Sequence, residues 1–298
     1  MINMKDNCAV LLISHGSSLP YAEDTFKKIA EKFKTISGLP TEVGYMKVSE
    51  PTIAQAIKNL KDSSNEINKI IALPVFLAPG IHTNIDIPII LGLDPLEVDP
   101  RCPDGNYGED HYLYGLEEID FDGEIKLLRP IGADDDLLKL INKRINEALN
   151  DSTLSQDAKT AILLVSHGSR LKYNKEFISE VYDKFSKVSA YPSEFGFMEL
   201  ETPNIPTSIN KLTSSNDIER LIVVPVFIAP GVHTTNDIPV ILGLKEDTGH
   251  SHGHDHGDHH HHHDLSKIDF DGEILYPEPI GADDILIEIL NKKIKDSL

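Results

Sequence analysis

The most constraining feature of this 298-residue chain is an internal repeat, in which the second half resembles the first. Ser-His-Gly-Ser occurs at residues 14–17 and again at residues 166–169. The segments Ile71–Leu93 and Ile222–Leu244 are identical at 16 of 23 positions. Two shorter segments also return unchanged, 119–125 as 268–274 and 131–135 as 280–284. A repeat in nearly constant register indicates that one structural unit was duplicated as a whole.

Two domains are therefore expected, residues 1–149 and 159–298, joined by a polar linker at residues 150–158. Each copy has the length of an ordinary domain and is expected to bury its own core. Both copies carry an insertion before the last predicted strand, and the one in the second copy contains nine histidines within residues 250–263. Its Gly, Asp and His composition predicts a segment that is disordered without ligand.

Apolar runs suited to buried strands alternate with amphipathic helical stretches in each copy. In the first copy, strands are expected at residues 9–14, 41–46, 69–76 and 124–128, and helices at residues 18–34, 52–60 and 134–149. Such alternation requires right-handed crossovers. The expected fold class is α/β, with two tandem Rossmann-like domains, each a parallel sheet of about four strands flanked by helices.

The composition argues against several function classes. The formal net charge of −20 disfavours nucleic-acid binding, which requires a basic surface. No apolar run approaches the ~18 residues of a membrane span, and the first residues lack the features of a secretion signal. With only two cysteines, the chain is expected in a reducing cytoplasm.

Four histidines occupy the best-preserved parts of the repeat. His15 and His167 follow the first predicted strand of each copy, and His82 and His233 follow the third. Ligands collect at the carboxyl ends of strands in open α/β sheets, so each pair is expected to converge on one crevice. Neutral imidazole binds Co²⁺, Ni²⁺, Fe²⁺ and Zn²⁺. Because no third ligand is evident, an open site that exchanges its metal is favoured over a closed zinc site.

The order of the motifs resembles that of a known family. Ser-His-Gly-Ser follows the first strand and Pro-x-Phe-x-x-x-Gly-x-His follows the third in both copies. A Glu-Pro-containing segment follows the second strand, and in the second copy its Glu is replaced by Thr202. In this respect the chain is similar to the sirohydrochlorin chelatases of the CbiX/CfbA family, whose short members act as homodimers. The chain resembles two such subunits fused, which implies two chelatase-like domains related by a pseudo-two-fold axis.

The resemblance implies ATP-independent insertion of Co²⁺ or Ni²⁺ into sirohydrochlorin, for cobalamin or for the nickel tetrapyrrole of methanogens. It implies that His15, His82, His167 and His233 line one cavity and handle the metal. The metal is then a substrate, and no cofactor is permanently bound. The fused chain is expected to be a monomer that acts as a pseudo-dimer. Its expected partners are sirohydrochlorin and a divalent metal ion, with no nucleic acid and no membrane.

Metal insertion displaces two pyrrole protons, so the site also requires proton acceptors. The family often has Phe-Leu-Glu-x-x-Glu-Pro after the second strand. The second copy keeps the first glutamate as Glu199, whereas the first copy has Lys47 there and keeps the second glutamate as Glu50. The expected catalytic residues are His15, His167, Glu199 and Glu50, with Glu199 as the main proton acceptor. Lys47 is expected to face a substrate carboxylate, although neutral drift at a solvated strand end would also explain both departures.

Further site residues are expected around the two His-Gly turns and in the histidine tract. The expected substrate contacts are Ser14, Gly16, Ser17, Lys47, Ser166, Gly168, Ser169 and Arg170. The expected accessory metal ligands are His250, His252, His254, His256, His259, His260, His261, His262 and His263. Because a flexible tract cannot hold ligands in one geometry, it is expected to concentrate metal rather than to catalyse.

Two other function classes remain open. A nickel- or cobalt-binding metallochaperone or storage protein would also use paired histidines and a histidine tract, but it would bind metal tightly and lack a tetrapyrrole pocket. A metal-dependent hydrolase would need a carboxylate-rich ligand set, which the sequence does not show. The absorption spectrum of sirohydrochlorin mixed with the protein and Co²⁺ or Ni²⁺ separates these classes.

Overall fold

The first half of the chain forms a four-stranded sheet with helices on both faces. In the computed structural model, the described residues are 7–17, 19–64, 66–169, 171–215, 217–246, 268 and 270–298. The strands of the first half are β1 (Cys8–Ser14), β2 (Thr41–Tyr45), β3 (Lys69–Pro74) and β4 (Glu124–Leu127). Its helices are α1 (Pro20–Ser37), α2 (Ile53–Ser63), the short α3 (Ile87–Ile90) and α4 (Asp135–Asn150). The strands and helices expected from the sequence are present with nearly the same bounds.

The second half repeats these elements in the same order. Its strands are β5 (Thr160–Ser166), β6 (Ser193–Phe197), β7 (Arg220–Pro225) and β8 (Glu273–Leu275). Its helices are α5 (Lys172–Val188), α6 (Ile205–Ser215), the short α7 (Ile238–Ile241) and α8 (Asp284–Lys295). Arg170 and the histidine tract at 250–263 lie outside the described residues.

Both sheets are parallel, with strand orders β2-β1-β3-β4 and β6-β5-β7-β8. The expected fold class is therefore confirmed. In each half the chain leaves the first strand towards one side of the sheet and later returns on the other side, which opens a crevice beyond the carboxyl ends of the two central strands. No helix among the described residues is long and apolar enough to cross a membrane.

The alternation of side chains along the strands divides the core into layers. In β1, Ala9, Leu11 and Ile13 pack on one face with α2 and α3, in a layer that belongs to the first half. The opposite face carries Val10 and Leu12, which belong to a core that also contains residues of the second half. The expectation that each copy buries its own core is thus only half correct, because the strand period of two gives every sheet a second apolar face.

The closing helix of each half packs on the other half. Helix α8 lies against α1 of the first half, and α4 lies against α5 and β7 of the second half. The two closing helices also contact each other. Their buried leucine and isoleucine side chains join the core that the two sheets share. The two halves are therefore coupled by apolar burial, the dominant favourable contribution to folding.

Reciprocal polar contacts show that the two halves are related by a pseudo-two-fold axis. The Lys32 ammonium of α1 reaches the Ala282 carbonyl at 2.8 Å and Asp284 at 2.7 Å. The Lys184 ammonium of α5 makes the equivalent contacts with the Ala133 carbonyl at 2.6 Å and with Asp135 at 2.9 Å. Contacts that repeat with the halves exchanged are the signature of an isologous interface.

A buried ion pair anchors the linker between the halves. Arg220 is 1% exposed, and its guanidinium donates to Glu273 at 3.0 Å and to the Ser155 carbonyl at 2.8 Å. Glu273 also accepts hydrogen bonds from Ser152 and from the backbone and hydroxyl of Thr153. Burial raises the pKa of Glu273, but these hydrogen bonds outweigh it and lower the pKa to about 2. The start of the linker is therefore tied to the first residue of β8.

Replacing Glu273 by Gln is expected to lower the free energy of unfolding at pH 7 by about 3 kcal/mol, because Arg220 is left buried without a counter-charge. The matched control is Glu124→Gln at the same strand position of the first half, where the side chain is 61% exposed and the expected loss is below about 1 kcal/mol. Urea denaturation measures both. Equal losses would contradict the proposed anchor.

The pH dependence of the stability follows from the direction in which the pKa of Glu273 is shifted. The folded pKa of Glu273 is about 2 and its ordinary value is 4.5. The carboxylate is therefore stabilising in full above pH 4.5, and this contribution is lost as the pH falls towards 2. The stability difference between the wild type and Glu273→Gln should shrink over that interval.

A strained turn after the second strand of each half faces the His-Gly turn. The Ser49 amide donates to the Lys47 carbonyl at 2.8 Å, and the Glu201 amide donates to the Glu199 carbonyl at the same distance. The central residues, Val48 and Leu200, have φ of 71° and 63°. This is the uncommon form of the γ-turn, which costs free energy unless its surroundings enforce it.

Glycine is required opposite each γ-turn. A Cβ added at Gly16 would lie 1.9 Å from the Lys47 carbonyl oxygen, and one added at Gly168 would lie 1.8 Å from that of Glu199. Both glycines also have positive φ, 88° and 95°. The close approach holds the segment after the first strand against the segment after the second, which places His15 beside Lys47 and His167 beside Glu199.

Gly168→Ala is expected to destabilise the protein by at least about 3 kcal/mol, because the two backbone segments must separate. Gly243→Ala is the matched control, since Gly243 has a positive φ of 70° but no atom within 4 Å of the added Cβ. Gly243→Ala should lower the stability by only about 1–2 kcal/mol, the cost of placing a residue with a Cβ at positive φ. Thermal unfolding compares the two, and similar losses would show that the close approach does not matter.

Candidate metal centre

The four histidines lie at the two crevices beyond the central strands. His15 directly follows β1, and His167 directly follows β5. His82 and His233 each begin a single π-helical turn, His82–Asp86 and His233–Asp237, which leads into α3 or α7. Such wide turns occur frequently at functional sites. The elements therefore bring the early and the middle histidine of each half to the same crevice.

The histidines come together as two pairs. The ring centroids of His15 and His82 are 4.9 Å apart, and those of His167 and His233 are 4.8 Å apart. Among the described residues, the ligand atoms of the four histidines do not form one set within 4.8 Å. That all four line one cavity remains a prediction, whereas the pairing within each half is a feature of the structure.

Every ring has its Nδ1 atom engaged by an acceptor. His15 and His167 donate from Nδ1 to the carbonyls of Gly16 and Gly168, at 3.0 and 2.9 Å. His82 and His233 contact the carboxylates of Asp86 and Asp237 through Nδ1, at 2.6 and 2.7 Å. A carbonyl or a carboxylate can only accept, so Nδ1 carries the proton in all four rings. In the neutral ring the Nε2 lone pair is then available to a metal, the arrangement that ligating histidines require.

Burial keeps the first histidine of each pair neutral. It lowers the pKa of His15 to about 4, and the hydrogen bond to Gly16 only partly opposes this effect. Burial likewise lowers the pKa of His167. A neutral imidazole is the form that binds a metal, so at pH 7 these rings need not lose a proton first.

The second half adds a carboxylate to its histidine pair. The Nε2 atom of His167 lies 3.6 Å from a carboxylate oxygen of Glu199. Ligand atoms of His167, Glu199 and His233 all lie within 4.8 Å of one another, and no other set of three or more such ligands occurs among the described residues. Two imidazoles and one carboxylate form a three-ligand site that leaves coordination positions open, as catalytic rather than structural metal sites do.

The first half has a lysine where the second half has Glu199. The Lys47 amide bonds the His15 carbonyl, as the Glu199 amide bonds that of His167, so the two residues are structural equivalents. The Lys47 ammonium lies 5.0 Å from the centre of the Tyr112 ring. Burial lowers the pKa of Lys47. The first-half pair is therefore bordered by a cation rather than by a third ligand.

A buried hydrogen-bond network centred on Asp86 fixes the orientation of the His82 ring. Asp86 is 0% exposed and accepts hydrogen bonds from His82, from Arg101 and from the Tyr112 hydroxyl. Burial alone raises the pKa of Asp86, but these hydrogen bonds hold it below the ordinary value. Arg101 also bonds Asp99, at 2.7 Å. In the second half, Asp237 is 37% exposed, so the corresponding carboxylate is more hydrated.

Most of the remaining residues that were expected to contact the substrate or to act in catalysis make structural contacts, whereas Glu50 is exposed. Ser14 and Ser166 are buried, whereas Ser17 and Ser169 accept from the backbone amides of Leu19 and Leu171, just before the first helix of each half. Gly16 and Gly168 meet the γ-turns, and Glu50 is exposed. Their expected roles at the substrate remain predictions, and the contacts favour a structural role for the serines and glycines.

Sequence reasoning missed the residues that orient the histidines. Asp86 and Asp237 stand four residues after His82 and His233 in both copies, so a His-x-x-x-Asp repeat was available as a signal. Arg101 had no such signal, because it lies in the part of the first insertion that the second copy does not repeat. Only the folded insertion brings its guanidinium to Asp86.

Each curated relative matches about half of the chain. Over 148 residues, half of this chain, the sequence is 45% identical to the sirohydrochlorin cobaltochelatase of Methanothermobacter thermautotrophicus, of which 99% is covered. Over 135 residues it is 48% identical to the protein of the same name from Methanocaldococcus jannaschii, covering 94% of that relative and 44% of this chain. These relatives have the length of one half.

Solved structures match the chain over nearly its whole length. SirB from Bacillus subtilis, solved with Fe³⁺, superposes with a TM-score of 0.65 at 16% identity, covering 98% of this chain and 95% of SirB. A structure of CbiX, described as the terminal enzyme of siroheme biosynthesis in denitrifying bacteria, gives 0.59 at 20% identity and covers 97% and 99% of the two chains. At these identities the structures support the fold alone. The CbiX family model matches residues 9–148 and again 161–297, and the chain therefore belongs to the CbiX family, with one copy of the family unit in each half.

Proposed function

We propose that this protein is a sirohydrochlorin chelatase that inserts Co²⁺ without nucleotide hydrolysis. The observation that carries the proposal is the set His167, His233 and Glu199, whose ligand atoms lie within 4.8 Å of one another. Its relatives named sirohydrochlorin cobaltochelatase support the substrate and the metal. The metal is a substrate in this proposal, and no resident cofactor is needed.

The second-half site can combine metal delivery with proton removal. The Nε2 atoms of His167 and His233 and the carboxylate of Glu199 would hold the ion with open positions facing the tetrapyrrole. Insertion forms bonds from the ion to the four ring nitrogens and releases two N–H protons. One proton passes to Glu199 and the other to solvent. A protonated Glu199 binds the cation more weakly, so proton transfer and metal release favour each other.

The histidine positions make this exchange possible without loss of geometry. Asp237 and the Gly168 carbonyl hold the Nδ1 protons of the two rings, so each Nε2 keeps its direction when the ion leaves. Ligands that are oriented but incomplete suit a metal that is passed on. A metallochaperone would use the same ligands, and its distinguishing property would be the absence of tetrapyrrole turnover.

Glu199→Gln is expected to slow insertion of Co²⁺ into sirohydrochlorin by about 100-fold or more, because the amide neither accepts a proton nor neutralises the cation. The absorption bands of the tetrapyrrole report the rate, and their shift in the metal-free mixture reports binding, which should be retained. Glu201→Gln is the control, since Glu201 pairs with Lys175 at 2.9 Å. An unchanged rate in Glu199→Gln would move the proton-accepting role to Glu50, to a histidine or to water.

The same assay decides the overall function and the metal. Absence of any spectral conversion, with tight binding of one metal ion at the second half, would establish a metal-binding protein in place of a chelatase. Competition between Co²⁺ and Ni²⁺ for one sirohydrochlorin pool tests the choice of cobalt, since imidazole binds both ions. Cytoplasmic location and a monomeric state remain predictions from the sequence.

The histidine tract at 250–263 is proposed to raise the local metal concentration. Replacing its nine histidines by Asn should lower the Co²⁺ bound per chain and slow turnover only when Co²⁺ is scarce. Its imidazoles should release metal as the pH falls through ~6.5, since protonation removes the lone pair. Equilibrium dialysis and initial rates at limiting and saturating Co²⁺ measure both effects. Loss of activity at saturating Co²⁺ in a folded variant would contradict this role.

A further inference from the structure

Equivalent positions of the two crevices carry opposite charges. Lys47 and Glu199 are equivalents, because each donates its amide to the carbonyl of the first histidine of its half. Arg129 and Glu278 are a second such pair, two residues before Ile131 and Ile280. The amides of those isoleucines bond the carbonyls of Phe76 and Phe227, which fixes the same backbone course in both halves. Two cations in the first half thus stand where two carboxylates stand in the second.

Both cations lie beside the segments that carry the first-half histidines. The ammonium of Lys47 helps to lower the pKa of His15, although burial is the larger cause. The Arg129 guanidinium donates to the side-chain oxygen of Asn84 at 3.4 Å, and Asn84 is in the π-turn that begins at His82. Lys47 therefore acts on His15, and Arg129 contacts the π-turn that contains His82.

Neither cation forms an ion pair with a carboxylate of the described residues. No carboxylate among the described residues lies within 4 Å of Lys47 or Arg129. Arg101 differs from both, because it forms ion pairs with Asp86 and Asp99. Lys47 is also partly buried, so its charge is less screened than that of a surface lysine. A divalent cation is disfavoured beside such charges, whereas a carboxylate is favoured.

We propose that the two crevices take different ligands: the second-half site binds the metal ion, and the first-half site binds a carboxylate of the polyanionic substrate through Lys47 and Arg129. The identity of the carboxylate rests on the proposed function, whereas the exclusion of metal from His15 and His82 does not. Both residues can make charge-assisted hydrogen bonds to a carboxylate. A net charge of −20 is then compatible with an acidic substrate, because the complementary charge is local.

The polarity also gives the substrate one orientation. A macrocycle with carboxylates around its edge meets Lys47 and Arg129 in the first half and Glu199 and Glu278 at the equivalent positions of the second half, although the backbone at these positions is pseudo-symmetric. Electrostatic complementarity of this kind fixes register more than it raises affinity. The tetrapyrrole is then presented to the single metal site in one way, which a symmetric pair of crevices would not enforce.

The first test uses Co²⁺ alone and needs no tetrapyrrole. Co²⁺ bound at a saturating free concentration is counted by equilibrium dialysis and by its visible absorption in the wild type, His82→Ala and His233→Ala. The histidine tract is the same in all three, so differences report the crevices. The expected result is one equivalent lost in His233→Ala and none lost in His82→Ala. Equal losses in both variants would overturn the proposal.

A gain of metal in the first half makes the test sharper. Lys47→Glu restores the two-imidazole, one-carboxylate set there and is expected to bind one Co²⁺ more than the wild type. The matched variant Lys47→Met removes the charge without adding a ligand and should not gain a full equivalent. The extra ion should disappear in the double variant Lys47→Glu/His82→Ala. A folded Lys47→Glu protein with no additional Co²⁺ would contradict the proposed metal exclusion.

The carboxylate is tested by metal-free binding of sirohydrochlorin, followed by its absorption. Lys47→Met and Arg129→Met should each raise Kd by about tenfold, the effect of one hydrogen bond to a charged group. Lys139→Met removes an equal charge at an exposed pair with Asp136 and should leave Kd unchanged. Equal changes of Kd in all three variants would contradict the proposed anion site. If Kd changes as expected but no metal is inserted, the proposed function fails while the anion site stands.

Discussion

The burial of one face of each sheet against the other half is the constraint on which the rest of the structure depends. Leu12 of β1 and Leu164 of β5 belong to the same core, and the closing helices α4 and α8 complete it from opposite halves. Because each closing helix crosses to the other half, separating the halves would expose apolar surface on both sheets at once. The relative position of the two crevices is therefore a property of the core and not of a flexible linker.

The site depends on backbone contacts that orient histidines before any metal is present. The π-turns place His82 and His233 four residues before the carboxylates that take their Nδ1 protons. The γ-turns face Gly16 and Gly168, whose carbonyls take the Nδ1 protons of the other two rings. Strain in the γ-turns is tolerated because their carbonyls pack directly against those glycines. Four imidazoles are thereby held with Nε2 available.

Duplication within one chain allows the two sites to differ, which identical subunits of a homodimer cannot do. The backbone is kept nearly unchanged, as the matching hydrogen bonds of Lys47 and Glu199 show. The side chains differ in charge, and the surroundings of His82 and His233 also differ in burial, since Asp86 is enclosed by Arg101 and Tyr112. The two pseudo-symmetric crevices therefore differ in charge at equivalent positions, with Lys47 in the first half and Glu199 in the second.

The sequence by itself determined the repeat, the order of strands and helices and the four histidines, because these features follow from local patterns: apolar runs, amphipathic periodicity and motifs at strand ends. It also indicated that Lys47 in the first half stands at the position equivalent to Glu199 in the second. Only the tertiary structure decided that the closing helices pack on opposite halves, that Arg101 reaches Asp86, and that Arg129 lies by Asn84. These contacts join residues distant in the chain, and no local pattern specifies which apolar face or carboxylate a helix or an insertion will meet once the chain has folded.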